Sequence, residues 1–565
     1  MTSAGAVLSR RQTAPAWPLR LARLLPYLFL LAAAYSVFAE TVDDPYITFR
    51  YAANLLAGQG AVFNLGERVE GFTSPLHLLL SALLLSVAPS VDILFKAKCA
   101  SLLFAFVMLA QTGVLAKRSG LNGWESVLAQ SLVALNINFA LAGVNALETT
   151  LYGSILLAAL LMFHREVQRG QGYASGALLF LASLARPEAL LVAAALAGVR
   201  WYRQRRTHRS FRFLAAWLGA FLVPTALFEA VRFGYYGQLL PNTYFAKAQP
   251  LWVSLSRGAA YPLRATAPRA ADVPAFIHDL MLLSPHTLLA FHSLLQKNLR
   301  SDLFSLFMPL LFWGLAVSGL WRIKHRILGG ISLAVIAAVL LFVLKAGGDW
   351  MYGWRFMVPV LPLLAVCQCF AVRAISRRLA RRNFPLVPAR RSASVCGAVV
   401  ALLWLVSCTK TEHYSWKSAG FSTHGVQLLQ ASEGFGPLWV RGAEYIKQFP
   451  PGTKVAYSEM GYAGYLNLDK YMLDIRGLTD RQIAHLPPQY KYSTGVADKQ
   501  WYAPGDPLNA ILERRKPDVI ISFDPASPAT ALSGYRQEKT LALPTHGAQV
   551  PTPAYVYQRV PPYSR

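Results

Sequence analysis

The chain has 565 residues, of which 54% are hydrophobic and only 15% charged, and its mean hydropathy is positive at +0.35. This composition excludes an ordinary soluble protein and is typical of a protein that crosses a membrane many times. The formal net charge of +27 would suggest nucleic-acid binding in a soluble protein. Here the arginines gather in short clusters between apolar segments, as cytoplasmic loops do, so we predict no nucleic-acid partner.

The first apolar segment, at about residues 21–39, follows a cluster of arginines, and no small-residue cleavage pattern comes after it. We predict a retained transmembrane helix with its amino end inside, which places residues 40–93 outside. This outer loop contains a second apolar segment, residues 76–88. Because that segment is too short to cross a bilayer, we predict a helix that lies in the outer interface.

The remaining crossings follow from the basic clusters, because two cytoplasmic loops are always separated by an even number of crossings. Ten more transmembrane helices are predicted, at about residues 94–116, 124–143, 149–163, 172–185, 190–202, 212–233, 303–321, 326–346, 357–376 and 392–408. A second large outer loop, residues 234–302, contains an amphipathic stretch at 273–296. The sequence thus predicts a multi-pass α-helical membrane protein with about eleven transmembrane helices and additional juxtamembrane helices.

The chain after residue 408 has a different character. The segments KVAYS, KYMLDI, KPDVIIS and AYVYQRV alternate with turns rich in Gly, Pro and Tyr, which is typical of short strands. We predict a transmembrane domain at residues 1–408 and an extracytoplasmic mixed α/β domain at residues 409–565.

Polar residues at several predicted helix ends emerge on one face of the membrane. They are Asp43, Asp44, Arg50, Glu148, Arg186, Glu188, Asn242, Lys247, Asp349 and Arg355. Ionisable groups near a bilayer are costly unless they face water or each other, so we predict that they line one polar cavity at the outer boundary. Any one of them taken alone is also explained as a solvated loop charge.

Asp43 and Asp44 are the strongest candidates for chemistry. A carboxylate at the membrane face can act as general base on an acceptor hydroxyl, and two adjacent carboxylates can instead hold a divalent cation. Asp44 followed by Pro45 is also a good helix start. The sequence alone does not decide which aspartate acts, because adjacent residues at a helix start point in different directions.

The other candidates have two interpretations each. Arg50 suits either a phosphate or an ion pair with an aspartate, and Arg186 and Arg355 suit either a lipid-linked phosphate or the membrane interface. Asn242 suits a sugar hydroxyl or a turn after a proline. Asp349, in GGDW, follows a flexible backbone compatible with close approach of a ligand.

No phosphate-binding glycine loop, dinucleotide fingerprint or serine nucleophile elbow occurs in the sequence. A nucleotide-sugar donor is therefore unsupported, and we predict a donor that is available outside the cytoplasm.

Several ordered blocks resemble a known family. DDPYITFRYAANLLAGQGAVFNLGERVEGFTSP, ALETTLYGSILL, LARPEALL, YYGQLLPNTYFAK, GGDWMYGWRFMVPVLPLL and DIRGLTD together resemble the arabinofuranosyltransferases that end mycobacterial arabinan chains and those that decorate type IV pilin. The resemblance implies a GT-C fold, a sugar donor carried on a polyprenyl phosphate, a glycan or protein acceptor such as pilin, and a bacterial inner membrane. It implies a catalytic acid at Asp43 or Asp44, in a cavity lined by Glu148, Arg186, Asp349 and Arg355.

The sequence departs from that family at two positions. Leu147 replaces the usual methionine before the turn glutamate, and Leu65 replaces the usual proline of the outer loop. We expect transfer of a sugar, with arabinofuranose favoured over a hexose, and an acceptor guided by residues 409–565. Two alternatives remain: a transporter or flippase of a lipid-linked saccharide, and an assembly partner without catalytic activity.

Overall fold

The computed structural model describes residues 17–208, 210–264, 299–349, 351, 354–381, 422–431, 436–490, 506–522, 532, 534–541 and 554–560. The predicted helix at 392–408 and the amphipathic stretch at 273–296 lie outside the described residues. The described chain divides into a large helical part and a smaller part with a β-sheet.

The helical part contains sixteen α-helices within the described ranges. They are α1 (Trp17–Ala22), α2 (Leu25–Ser36), α3 (Asp44–Leu56), α4 (Pro75–Ser86), α5 (Ile93–Arg118), α6 (Gly123–Ala134), α7 (Ile137–Val144), α8 (Thr149–Arg169), α9 (Ala174–Ala185), α10 (Ala189–Arg206), α11 (Arg212–Tyr236), α12 (Asn242–Ala246), α13 (Leu251–Arg264), α14 (Leu299–Ile323), α15 (Ile327–Ala346) and α16 (Leu361–Arg381).

Local signals in the sequence set many of these boundaries. The Ser74 hydroxyl accepts from the backbone of His77 at the start of α4, where Pro75 occupies the first turn. Asn122 and Glu125 form a capping box at the start of α6. Gly237, with a φ of 69°, ends α11 in the left-handed conformation that glycine adopts without strain.

Six helical segments of the described chain are long and apolar enough to cross a membrane. They are Trp17–Ser36, Ile93–Arg118, Thr149–Arg169, Arg212–Tyr236, Ile327–Ala346 and Val358–Arg378. A seventh, predicted as one helix at 124–143, is the pair α6 and α7, which meet at a bend of 65°. Three shorter apolar helices, Pro75–Ser86, Ala174–Ala185 and Leu310–Ile323, accompany them, and the total of eleven crossings stays a prediction.

Two groups of polar contacts join the helices and the loops between them. In one group, Arg373 donates through Nε to Glu125 at 2.6 Å, and Arg326 donates to the carbonyl of Ser119 at 2.9 Å. In the other group, residues near the starts of α3, α8 and α10 contact one another and the β-sheet part. The candidate residues belong to the second group, and its extracytoplasmic orientation stays a prediction.

The smaller part has a five-stranded mixed sheet. Its elements are α17 (Gly425–Ala431), α18 (Gly436–Lys447), β1 (Lys454–Tyr457), α19 (Gly461–Leu466), β2 (Tyr471–Asp474), α20 (Arg481–Ala484), α21 (Pro507–Arg515), β3 (Val519–Ser522), β4 (Tyr535–Leu541) and β5 (Ala554–Arg559). The strand order is β2-β1-β3-β5-β4, with β1 parallel to β2 and β3, and β5 antiparallel to β3 and β4.

Four strands coincide with predicted ones, and β4 is an additional strand. Most of its side chains are exposed, and its sequence YRQEKTL carries three charges. Charged side chains protect an edge strand from pairing with other chains. They also replace the alternation of apolar and polar residues by which a strand is recognised in a sequence. The sequence pattern therefore gave no signal for β4.

Candidate active site

Seven charged side chains come together where α3, α8 and α10 begin and in the segments that follow α12 and α15. They are Asp44, Glu148, Arg186, Glu188, Lys247, Asp349 and Arg355, and we refer to them as the charged cluster. All seven are among the candidates identified from the sequence. The three helix starts contribute to their meeting, because each places a polar side chain in the same region of the helical part.

Asp44 has the least restrained carboxylate of the charged cluster. It lies in the first turn of α3, it is half-buried, and its carboxylate has no hydrogen bond or ion pair within the described part of the chain. Burial raises the pKa of Asp44, whereas Lys247 and Arg355 act to lower it. A carboxylate that is positioned and unoccupied can accept a proton from a ligand.

Arg186 is held between two acids. Its guanidinium donates to Glu148 at 2.6 Å and to Glu188, and it lies 4.8 Å from the centre of the Phe356 ring. Burial by itself would raise the pKa of Glu148, but Arg186, Arg355 and His77 together lower it to about 2. Glu148 is therefore held as a carboxylate beside Arg186.

Arg355 and Lys247 are the cations that face Asp44 most directly. Arg355 is buried and paired with Asp349, which raises the pKa of its guanidinium. Lys247 is exposed, and its ammonium has no hydrogen bond or ion pair in the described ranges. In the described chain, Arg355 uses only Nε for its bond to Asp349, so its other N–H groups and the Lys247 ammonium can bind an anionic ligand group.

Asp43 has a different role from its neighbour. Its two carboxylate oxygens accept hydrogen bonds from the backbone of Gly461 at 2.6 Å and of Tyr462 at 2.7 Å, at the start of α19. Gly461 is required there, because a Cβ would come within 2.0 Å of the Asp43 carbonyl oxygen. Burial, and then the nearby Glu459, raise the pKa of Asp43 to about 7.

Arg50 also connects the helical part to the β-sheet part. A guanidinium has five N–H donors, and all five are used here. The acceptors are the carbonyls of Phe63, Gly464, Asn467 and Lys470 and the side chain of Asn64. The side chain is 1% exposed, its donors are all taken by protein acceptors, and none of these acceptors is an aspartate.

Asn242 is fully buried and holds a loop of the β-sheet part. Its amide nitrogen donates to the carbonyls of Gly477 at 2.8 Å, Leu478 at 3.0 Å and Asp480 at 3.2 Å. The predicted role in the turn after Pro241 is not what these bonds show, since the side chain instead holds the backbone of a distant segment. We refer to Asp43, Arg50 and Asn242, with the backbone they bind, as the junction.

Arg476 is a neighbour of Asp44 that the sequence analysis did not select. It lies in the DIRGLTD segment, donates to Glu459, and acts electrostatically on Asp44. The Asp474 carboxylate shapes this segment by accepting from the backbone of Arg476 and of Thr479, both at 2.8 Å. DIRGLTD is one of the blocks that resemble the arabinofuranosyltransferase family. That resemblance was the one sequence signal that could have identified Arg476 as a candidate.

Two further buried groups support the outer loop. The Lys98 ammonium donates to the carbonyls of Phe38, Glu40 and Val144, and so fixes the chain just before Asp43. Arg232 pairs with Glu70 at 2.9 Å and joins α11 to the same loop. The sequence analysis placed both cations inside transmembrane helices and gave them no role.

A divalent cation was one alternative for the adjacent aspartates. Both oxygens of Asp43 are engaged by backbone amides, so a shared cation would have to replace those hydrogen bonds. Within the described residues, no group of three or more His, Cys, Asp or Glu side chains is arranged to hold a metal ion. The geometry favours an acid–base role for Asp44.

Two arabinofuranosyltransferases are similar in sequence to this chain. The chain is 31% identical over 351 residues to a terminal β-(1→2)-arabinofuranosyltransferase of Mycobacterium tuberculosis, covering 57% of this chain and 51% of that protein. It is 28% identical over 364 residues to the enzyme of the same name from Corynebacterium glutamicum, covering 59% of this chain and 48% of that protein. The chain thus spans about half the length of these relatives.

The fold has a counterpart among solved structures. The crystal structure of ArnT from Cupriavidus metallidurans bound to undecaprenyl phosphate matches with a TM-score of 0.50 and 12% identity, covering 96% of this chain and 98% of that one. Residues 430–557 match a family described as a domain of unknown function, DUF8728. The comparisons confirm the resemblance to terminal arabinofuranosyltransferases, and they confirm the GT-C-like helical fold with a C-terminal region that contains a sheet.

Proposed function

We propose that the chain is a membrane glycosyltransferase that moves a sugar from a polyprenyl-phosphate donor to an acceptor hydroxyl, with arabinofuranose as the favoured sugar. The observation that carries the proposal is Asp44: a half-buried carboxylate without a bonded partner in the described chain, facing Arg355 and Lys247. The names of the two sequence relatives support the sugar, and the lipid bound to ArnT supports the donor carrier.

In this mechanism, Asp44 is the general base. Its carboxylate takes the proton of the acceptor hydroxyl while the acceptor oxygen forms a bond to the anomeric carbon of the donor sugar. The bond from that carbon to the phosphate oxygen breaks, and its electron pair leaves with the lipid phosphate. One proton moves to Asp44 and one glycosidic bond replaces another, so atoms and charges balance.

Arg355 and Lys247 bind the leaving phosphate in this scheme. Negative charge on the phosphate increases as the bond to the sugar breaks, and cations placed beforehand stabilise that change. Arg186 has a positioning role, since Glu148 and Glu188 already occupy its guanidinium. Asp349 has the same kind of role toward Arg355.

The proposed membrane location of the reaction follows from the lipid carrier of the donor sugar. Lipid-linked sugars are substrates that remain in the membrane, which agrees with a chain that has several helices long and apolar enough to cross one. We propose the bacterial inner membrane, with the charged cluster and the β-sheet part on the extracytoplasmic side. The acceptor is a cell-surface glycan or a glycosylated protein, and pilin is one such protein.

The test is a transfer assay with the purified chain in lipid nanodiscs. Synthetic decaprenyl-phosphate arabinofuranose and a short arabinofuranose acceptor are added, and mass spectrometry follows both released lipid phosphate and glycosylated product. We expect both products from the unmodified chain, and from Asp44→Asn at a rate lower by about 100-fold or more. Asp469→Asn, at a surface aspartate whose side chain is 48% exposed, is the matched control.

Different outcomes separate the proposal from its alternatives. Consumption of a hexosyl lipid with the arabinosyl lipid untouched would keep the mechanism and replace the sugar. Movement of the intact donor across a vesicle membrane without product would instead establish the flippase.

A further inference from the structure

A second polar site lies on the same side of the molecule as the charged cluster. It is a groove of about 550 Å³ between the outer loop, the end of α11 and the β-sheet part. Its lining includes Arg68, Tyr235, Arg481 and Arg515, and we refer to it as the arginine groove. The groove is open, so a ligand can enter from the aqueous phase.

The three arginines of the groove differ in how far they are neutralised. Arg515 pairs with Glu67 at 3.1 Å and with Asp480 at 2.9 Å. Arg481 uses only Nη2, which donates to the carbonyls of Arg68 and Tyr236, so its Nε and Nη1 are free within the described chain.

Arg68 is exposed, and in the described part of the chain its guanidinium makes no hydrogen bond or ion pair. It lies 4.8 Å from the centre of the Tyr235 ring. Arg68 and Arg481 together present unused N–H donors in a geometry that matches phosphate or carboxylate oxygens.

An aromatic surface accompanies these donors. The Tyr235 and Tyr236 rings are perpendicular, with centres 4.7 Å apart, and the Tyr236 hydroxyl donates to the carbonyl of Ala61 at 2.9 Å. A Cβ at Gly60 would come within 2.4 Å of the Tyr235 hydroxyl, so glycine lets that ring pack against the outer loop. An apolar ring face beside hydrogen-bonding groups is suited to a sugar ring that carries a charged substituent.

The arginine groove and the charged cluster share one chain segment. Arg476 acts electrostatically on Asp44, and Asp480 and Arg481, four and five residues later, line the groove. Five residues span at most about 18 Å when extended. The two sites are therefore close enough for one extended ligand to contact both.

We propose that the arginine groove binds the acceptor at a distance from its reacting hydroxyl, and that the acceptor is an oligosaccharide bearing an anionic substituent, held by Arg68 and Arg481. This inference rests on the proposed function, because it assigns the second substrate of the same reaction. The substituent is a phosphate or a carboxylate, which the same guanidinium groups bind.

The test measures binding without turnover. The full chain in nanodiscs is titrated with three synthetic probes: a neutral arabinofuranose hexasaccharide, the same compound with a terminal phosphate, and one with a uronic acid at that end. We expect the anionic probes to bind more tightly than the neutral one. Arg68→Ala, and Arg68→Ala with Arg481→Ala, should weaken their binding by about tenfold or more.

Arg514→Ala is the matched control, since Arg514 is exposed on α21 beside Arg515 but does not line the groove. Equal binding of all probes to the wild-type chain and to Arg68→Ala would overturn the proposal. An acidic peptide is titrated in the same way, and its binding more tightly than every oligosaccharide would overturn the saccharide class. Of the two anionic probes, the tighter binder identifies the substituent.

Failure of the two proposals can be told apart. If the wild-type chain binds the anionic probes more tightly than the neutral probe but transfers a sugar from none of the donors, the glycosyltransferase mechanism fails and the groove remains a saccharide site. If transfer proceeds and the acceptor KM is unchanged in Arg68→Ala, the proposed role of the groove fails alone.

Discussion

The junction and the charged cluster begin at adjacent residues, Asp43 and Asp44, yet they differ in hydrogen bonding. In the junction, both oxygens of Asp43 and all five N–H groups of Arg50 have partners within the protein. In the charged cluster, the Asp44 carboxylate and the Lys247 ammonium have none in the described chain.

Hydrogen bonding therefore distinguishes structural residues from candidate catalytic residues better than the presence of a charge does. A buried polar group is costly unless it is hydrogen-bonded, so a saturated group such as Arg50 stabilises the fold and has little left for a ligand. A charge held among other charges without a bonded partner is available to a substrate. The comparison predicts that substitutions in the junction change stability, whereas those at Asp44 and Lys247 change activity.

The largest effect is expected from Asp44→Asn. The amide keeps the size of the side chain but cannot accept a full proton, and loss of a general base costs about 100-fold to 10,000-fold in rate. We expect product formation to fall by that factor while the temperature of unfolding stays unchanged. The measurement is initial rate in the transfer assay, with unfolding of the same sample followed by intrinsic fluorescence.

Asp43→Asn is the matched comparison for this experiment. It should keep most of the activity, because its carboxylate binds the start of α19 and not the reacting groups. Equal loss of activity in both variants, with both proteins folded, would mean that the distinction between junction and cluster is wrong.

Arg50→Met should produce the next largest effect, on stability. The methionine fills part of the space but leaves several buried carbonyl groups without donors, which costs about 3–5 kcal/mol in total. We expect a lower apparent unfolding temperature and faster proteolysis between the helical and β-sheet parts. Arg536→Ala, at an exposed position of β4, is the control and should leave both readouts unchanged.

Lys247→Met tests the charged cluster with a smaller expected effect. The exposed ammonium is replaced by an uncharged chain of similar length, so one interaction with the donor phosphate is lost. We expect the KM for the lipid donor to rise by about tenfold, with the KM for the acceptor unchanged. A change confined to the acceptor would place Lys247 on the other substrate and contradict its proposed role.

Sequence reasoning located the elements better than the roles of their side chains. The apolar segments, the short strands at 454, 471, 519 and 554, and the meeting of Glu148 with Arg186 were all predictable, because they follow from periodicity and charge bias. The bend between α6 and α7 was not predicted, although Asn136 accepts from the backbone of Asn138 at the start of α7.

The roles of Asp43 and Arg50 could not be derived from the sequence for a physical reason. Both partners of Asp43 and three of the five acceptors of Arg50 lie more than 400 residues away, in α19 and the turn before β2, and no local pattern encodes such contacts. Asp43 and Asp44 have the same chemistry in the sequence. The fold distinguishes them, because Gly461 packs against Asp43 and its backbone amide binds the Asp43 carboxylate. The Asp44 carboxylate has no such partner in the described chain.

The smallest expected effect concerns the pH dependence of the junction. Burial and Glu459 raise the pKa of Asp43 to about 7 in the folded chain, from an ordinary value near 4. The folded state therefore holds a proton that the unfolded state has lost, and the free energy of unfolding should fall as pH rises from about 4 to about 7. Above pH 7 this contribution should be constant.

Asp43→Asn isolates that contribution, because an amide does not titrate. The pKa values of Glu70 and Asp474 are also raised, to about 7 and about 6. Their contributions to the pH dependence of stability are the same in wild type and in Asp43→Asn, so they cancel when the two curves are subtracted. The difference in slope should be at most about 1.4 kcal/mol per pH unit between pH 4 and pH 7. A wild-type stability that rises over this range relative to Asp43→Asn would mean that the amides of Gly461 and Tyr462 stabilise the carboxylate more than burial destabilises it.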